Sequence, residues 1–288
     1  MKMKTTKMIL CALVALSTVL IGCKKEEALT AKDIAGTYKG YTLTSCQYFQ
    51  NNFTADEQVV IEAVSEEVAK LTLTSGTWGI TTVNSMNVSF SGKTCSFSGS
   101  GSVEMAGMGG EAKKYDCTVS GTVDADKNAN VTVNIPAVMG GCNVVFATGT
   151  APADYYIADR YQGSLAMSVA GRPMGEPADV TITLEASGKN SVTVKLPAMG
   201  EGSMALPALD IANVAVNTSD YNTFTLAETA FEQTVDSLHC TGTVKGTVVG
   251  DKLTLNYSVK PGAMPMNIDF VFTTKEAESK KILAKLEF

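Results

Sequence analysis

One histidine occurs in 288 residues, charged residues make up only 18 % of the chain, and the formal net charge is -6. No dense Lys/Arg cluster offsets that sparseness, so nucleic acid is not an expected partner. The recurring catalytic signatures are missing as well. There is no Gly-x-Ser-x-Gly elbow, no His-Glu-x-x-His and no phosphate-binding loop. The expectation is a protein that is not an enzyme and carries no cofactor and no metal. Glycosidase chemistry would need two facing carboxylates, and Glu62 and Glu185 are the pair to consider because both halves of the chain carry them. Each is out of phase with the apolar residues of its strand and reads as solvated outer-face charge. Glu57, Glu66, Glu67 and Glu104 support no stronger claim.

The histidine lies beside a cysteine in Leu238-His239-Cys240-Thr241-Gly242-Thr243-Val244. Successive residues of a strand leave opposite faces, so the two cannot form a dyad. Cys240 shares phase with Val244 and Val248 and is expected inside. His239 shares phase with Thr241, Thr243 and Lys245 and is expected in water.

The N-terminus reads as an export signal. Met1 to Lys7 is basic, and Met8 to Ile21 is apolar but too short to span a bilayer comfortably. Leu20-Ile21-Gly22-Cys23 resembles a bacterial lipobox, in which the cysteine thiol is acylated and the chain is cut just before it. The resemblance implies a signal peptide at 1–22, a lipidated Cys23 and a tether over 23–33. Lys24-Lys25-Glu26-Glu27 is similar to the lipoprotein export signals of the Bacteroidetes. That implies a lipid-anchored protein of the bacterial outer membrane, at the cell surface or, alternatively, on the periplasmic face. The membrane is then one partner.

The chain repeats itself. Tyr38-Lys39-Gly40 returns as Tyr161-Gln162-Gly163, and Ile61-Glu62-Ala63 as Leu184-Glu185-Ala186, both 123 positions on. Thr118 to Val123 returns at Thr243 to Val248, Val131 to Ile135 at Leu253 to Tyr257, and Asn143 to Phe146 at Asn267 to Phe270, at offsets of 125, 122 and 124. Five collinear matches mark a duplication. The expected divisions are a first domain at 34–150, a linker at 151–159, a second domain at 160–274 and a tail at 275–288. In the tail Ile282, Leu283 and Leu286 have helical spacing.

Within each copy the apolar period is two, which indicates half-buried antiparallel strands. The second copy yields strands near 161–169, 179–186, 191–197, 208–217, 222–228, 238–249, 252–260 and 266–274, and the first also yields eight. The fold class is all-β: two tandem eight-stranded up-and-down antiparallel barrels, with β-sandwiches as the alternative. With that pattern and address the chain resembles the calycin-like β-barrel lipoproteins of the Bacteroidetes, relatives in shape of the lipocalins. It departs from the lipocalin Gly-x-Trp at the start of the first strand: Gly36-Thr37-Tyr38 carries tyrosine, and the second copy keeps only Tyr161. The resemblance implies a fold and no settled activity.

In an up-and-down barrel, connections after odd strands share one end and those after even strands share the other. The even turns are short and polar. The odd connections are longer and hold Phe49, Phe53, Trp78, Met108 and Met139 in the first copy, and Met174, Met199, Met204, Met264 and the segment around Phe231 in the second. Two readings stand. These side chains line a mouth that captures an apolar or amphipathic small molecule, a glycan or a protein surface. Or they plug the barrel tops and the domain junction, which would make this a structural or accessory envelope lipoprotein.

Beyond Cys11 in the signal and the lipidated Cys23, five cysteines remain. In a closed barrel the end of the first strand neighbours the start of the eighth, where Cys46 and Cys142 lie, and the second copy has Val169 and Met266 at the corresponding places. A Cys46–Cys142 disulfide is expected. Cys95 and Cys117 are in phase with apolar neighbours and read as core.

Overall fold

The computed structural model describes residues 29–106, 111–200 and 205–275. The signal peptide, Cys23, Met108, Met204 and the tail beyond Lys275 lie outside the described residues. In the first copy β1 (Gly36–Ser45), β2 (Asn52–Ala63), β3 (Val68–Ser75), β4 (Gly79–Ser91), β5 (Thr94–Ala106), β6 (Ala112–Val123), β7 (Ala129–Ile135) and β8 (Cys142–Thr148) pair in order, and β8 returns to β1. The second copy has β9 (Asp159–Val169), a two-residue arm β10 (Arg172–Pro173) folded back onto it, then β11 (Ala178–Ala186), β12 (Ser191–Leu196), β13 (Leu209–Thr218), β14 (Thr223–Val235), β15 (Leu238–Val249), β16 (Lys252–Pro261) and β17 (Ile268–Thr274). β17 pairs back to β9. The fold is therefore two closed antiparallel eight-stranded barrels and not sandwiches.

The strands form because alternate residues are apolar and turn inward. In β7, Ala129, Val131, Val133 and Ile135 are buried while Asn130 and Asn134 are exposed. Two bounds differ from expectation. β14 runs on to Val235, so Phe231 belongs to a strand, and its hairpin with β15 closes through Asp236 and Ser237, both at positive φ. Phe53 also lies within a strand, in β2.

Pairing also corrects the repeat alignment. Val131 faces Gly121 and Leu255 faces Gly246, while Phe146 faces Thr42 of β1 and Phe272 faces Leu165 of β9. The equivalent pairs are thus Val131 with Leu255 and Phe146 with Phe272, each two residues beyond the sequence match. A slip of two preserves the face of every side chain, which is why the burial pattern was unaffected. It also makes Ile268, not Met266, the counterpart of Cys142.

Each barrel is stoppered at its even end by a short helical segment that periodicity does not reveal. Helix α1 (Ala31–Ile34) enters the first barrel, its Ala31 N–H donating to Glu66 O in the β2–β3 turn at 2.8 Å. A 3-10 turn (Ala153–Tyr156) does the same for the second. Tyr38 Oη donates to Ile34 O at 2.6 Å and Tyr161 Oη to Ile157 O at 2.8 Å, so both copies use one device. The tyrosine at the Gly-x-Trp position is thereby a ring over the closed end and a clamp on the plug. Asp154, fully buried, adds a second clamp. Its carboxylate accepts the N–H groups of Ser187 (2.8 Å), Gly188 (2.6 Å) and Asn190 (3.0 Å) in the β11–β12 turn.

The linker also carries the junction. Tyr155 and Tyr156 meet Phe53 with ring centroids 5.9 and 4.8 Å apart, Tyr155 meets Tyr41 at 6.3 Å, and Tyr156 meets Tyr221 at 5.0 Å and Phe224 at 6.1 Å. The closed end of barrel 2 therefore sits on the β1–β2 wall of barrel 1.

Replacing Asp154 by alanine removes three hydrogen bonds between a buried carboxylate and N–H groups of the partly exposed β11–β12 turn, which water can then reach. At about 0.5–1.5 kcal/mol net per hydrogen bond, Asp154→Ala should cost barrel 2 about 2–4 kcal/mol in urea unfolding. Tyr161→Phe, which removes one hydrogen bond, should cost about 1 kcal/mol.

Candidate functional site

The interior of barrel 1 changes character towards its odd end. Below, the inward residues are apolar: Val59, Ile61, Leu71, Leu73, Val131 and Val133 are all buried. Above, inward positions of β1 to β4 are occupied by Thr42, Thr44, Glu57, Ser75 and Thr81, every one of them buried. Glu57 of β2 faces Gly40 of β1, and Thr42 and Thr44 are the next inward positions along β1. Phe146 lies across Gly40, where an added Cβ would come within 3.0 Å of its ring.

Glu57 is 2 % exposed. Its Oε1 accepts the Gly76 N–H at 3.1 Å, and the Ser75 hydroxyl bonds the same carboxyl group. Ser75 Oγ also accepts the Trp78 N–H at 3.0 Å, so the β3–β4 turn and Glu57 are tied together. The Trp78 indole is 7 % exposed and lies 6.2 Å, centroid to centroid, from Phe49 of the β1–β2 loop. Four polar atoms in this region are buried with no hydrogen-bond partner among the described residues: Thr42 Oγ1, Thr44 Oγ1, Glu57 Oε2 and Trp78 Nε1. Burial pushes the Glu57 carboxyl above its ordinary range, and the hydrogen bonds from Ser75 and Gly76 only partly oppose this.

Barrel 2 has none of this set. Strand pairing places Leu165 at the position of Thr42, Met167 at Thr44, Val180 at Glu57 and Leu209 at Thr81. Its interior is filled by side chains such as Phe270, Phe272, Leu184 and Ile211. A groove of about 510 Å³ on its outer wall is lined by Glu232, Thr241, Thr243 and Ser258 among others.

The proposed loop residues separate into groups. Phe49, Trp78 and Met139 pack on the core of barrel 1, and Met199, Met264 and Phe231 on that of barrel 2. Phe53 belongs to the aromatic junction. Met174 is exposed. Exposed large apolar residues occur at both ends, Tyr48, Ile80 and Met266 at the odd ends and Val64, Tyr221 and Val249 at the even ones.

Cys46 and Cys142 do come together. The β1–β8 register pairs Ser45 with Asn143, and its next step sets the two cysteines opposite each other. Both are buried, unbonded thiols in hydrogen-bonding contact, and burial together with the facing Cys46 pushes Cys142 up to about 11. Cys95, Cys117 and Cys240 are buried thiols in the barrel walls. His239 faces outward, with Nε2 3.5 Å from Glu232 Oε1. Glu62 and Glu185 point outward on separate barrels, paired with Lys70 at 3.2 Å and Lys195 at 2.9 Å. Among the described residues no group of three His, Cys, Asp or Glu could hold a metal.

Sequence reading weighed Glu57 only as a catalytic carboxylate and singled out neither Thr42 nor Thr44, yet the signal was present. Glu57 is in phase with Val59 and Ile61 of the same strand, so it had to turn inward.

The calycin-like β-barrel domain family matches the chain twice, over residues 34–149 and 157–275. The chain is similar to a protein of Bacteroides fragilis NCTC 9343 described as a candidate outer membrane protein, with 28 % identity and a TM-score of 0.72 over 85 % of this chain and 99 % of that one. A protein of unknown function from Nostoc punctiforme PCC 73102 overlaps 84 % of this chain and 96 % of its own, at 11 % identity and a TM-score of 0.24, too poor a superposition to support an inference. No curated protein matches the chain.

A carboxyl group whose folded-state pKa is raised holds its proton more tightly when folded, so its contribution to stability is present below its ordinary value of 4.5 and is lost as pH rises through the folded-state value. Wild-type barrel 1 should therefore lose stability relative to Glu57→Gln as pH climbs from about 4 to 8. Urea midpoints of the two proteins across that range would show the gap opening in this direction; parallel curves would remove the effect.

Proposed function

Because the chain belongs to the calycin-like β-barrel domain family in both halves, we propose that it is a lipid-anchored binding protein of the bacterial outer membrane, with barrel 1 receiving its ligand at the long-loop end. Barrel 2 is then a filled support. The observation that carries this reading is the contrast of interiors: buried, unpartnered polar atoms gather at one end of barrel 1, while the same positions of barrel 2 are apolar. Each unsatisfied buried group costs about 1–3 kcal/mol, and barrel 2 demonstrates that the shell accepts an apolar alternative. The address is supported by the lipobox-like Leu20-Ile21-Gly22-Cys23 and by the Bacteroides relative.

Anchorage and binding fit one another geometrically. The chain enters barrel 1 through α1 at the closed end, and Ala31 lies eight residue steps beyond Cys23. At no more than ~3.3–3.6 Å per residue, an acylated Cys23 keeps that end within about 30 Å of the bilayer. The long-loop end then points away from the membrane. A second reading, a structural lipoprotein with plugged barrels, is favoured by the inward packing of Phe49, Met139, Met199 and Met264. Native mass spectrometry of the protein taken from its own host's envelope decides between them. The binding reading expects a copurifying small molecule and loss of palmitate labelling in Cys23→Ser; a bare polypeptide mass supports the structural one.

The facing Cys46 and Cys142 thiols are assigned to a disulfide in the exported protein. Two thiols lose two protons and two electrons to a protein disulfide oxidant, which is itself reduced to a dithiol. Directly opposed residues of antiparallel strands lie ~4.5–5.5 Å apart at Cα, within disulfide range. Alkylation of unfolded, unreduced protein should leave these two cysteines unlabelled. Reduction should destabilise barrel 1 by up to about 4.7 kcal/mol, the chain-entropy value for a loop of roughly a hundred residues.

A further inference from the structure

The four unpartnered atoms of barrel 1 share a chemistry. Trp78 Nε1 is an obligate donor, and the two threonine hydroxyls donate or accept by rotation. A carboxyl group this deep is disfavoured as an anion and, when protonated, presents an O–H donor as well. All four can donate at once, and none imposes a fixed charge. The region is capped by Phe49 and Trp78, whose rings lie 6.2 Å apart, and Phe146 lies across Gly40 beside it.

Resting on the reading of barrel 1 as the binding barrel, we infer that Thr42, Thr44, Glu57 and Trp78 form an internal site for a small uncharged group bearing carbonyl or hydroxyl oxygens. Anions are rejected because Glu57 would have to stay protonated beside them in a site with no cation to compensate. Cations are rejected because the indole N–H would point at them. Neutral oxygen acceptors meet every donor without displacing a proton. The duplicate supplies an internal control: Leu165, Met167 and Val180 stand where Thr42, Thr44 and Glu57 do, and no other tryptophan exists in the chain.

That single tryptophan makes the site directly observable, since the ¹⁵N-labelled protein has one indole N–H resonance and it belongs to the proposed site. Acetamide, uncharged and carrying a carbonyl, should move this resonance downfield along a saturable curve. Acetate and methylammonium, of similar size, should not. Glu57→Gln, which keeps a neutral donor, should retain the response. A triple variant with the barrel 2 residues, Thr42→Leu, Thr44→Met and Glu57→Val, should weaken it at least ten-fold while the backbone amide spectrum reports an intact barrel. Should the triple variant not fold, Glu57→Val alone carries the comparison. An undiminished response in the variant overturns the site. Saturation by acetate or methylammonium overturns the uncharged class and leaves the binding end in place. No response to any probe overturns the site too: a copurifying molecule in the native mass spectrum would then move binding elsewhere on the protein, and a bare mass would remove the binding reading with it.

Discussion

Closure of each sheet on itself is the constraint from which the rest follows. Pairing of β1 with β8, and of β9 with β17, removes the free edges of the two sheets and commits every second residue to an interior wide enough for side chains or one small ligand. It also sets Cys46 opposite Cys142 and lays Phe146 over Gly40 and Phe272 over Gly163, where a Cβ would come within 2.5 Å of the Phe272 ring. Both even ends are then sealed by the same clamp, a tyrosine hydroxyl on the carbonyl four residues earlier. What remains to vary is the filling.

The duplicate shows what the shell itself requires. Barrel 2 closes, carries its plug and packs Leu165, Met167, Val180 and Leu209 inward. Threonines and a glutamate at the equivalent positions of barrel 1 contribute less apolar burial and leave polar atoms unsatisfied, a loss of several kcal/mol at about 1–3 kcal/mol each. Such a cost falls on function more readily than on architecture, because the architecture is built next door without it. The same comparison separates the cysteines: Val169 and Ile268 fill the place of Cys46 and Cys142 with an ordinary apolar contact.

Strand periodicity made most of the fold legible, because burial on one face leaves a period-two record and errors in alignment came in steps of two. Loop parity likewise assigned the two ends. What periodicity could not register were segments shorter than its own window. Helix α1 and the Ala153–Tyr156 turn are four residues each, and their role depends on contacts with distant turns. Phe231 looked like a loop residue because β14 carries Glu228, Glu232 and Gln233 among its apolar positions and a register shift between Leu226 and Thr229. Glu57 was visible in phase with Val59 and Ile61. It lies in the middle of β2 with Asp56 and Gln58 on either side, and three polar residues in a row mask an inward phase.

The linker explains why the loops are not one continuous binding surface. Asp154 and Ile157 hold the 3-10 turn against barrel 2, and Tyr155 and Tyr156 on the same turn present their rings to Tyr41 and Phe53 of barrel 1. One four-residue element thus seals one barrel and fastens it to the other. Phe53 is committed to that contact, and barrel 2 covers the β1–β2 wall rather than the long-loop end. At the long-loop end Phe49, Trp78 and Met139 fold inward onto the core of barrel 1, so uncovering the polar interior beneath them costs apolar contact but no hydrogen bond between strands.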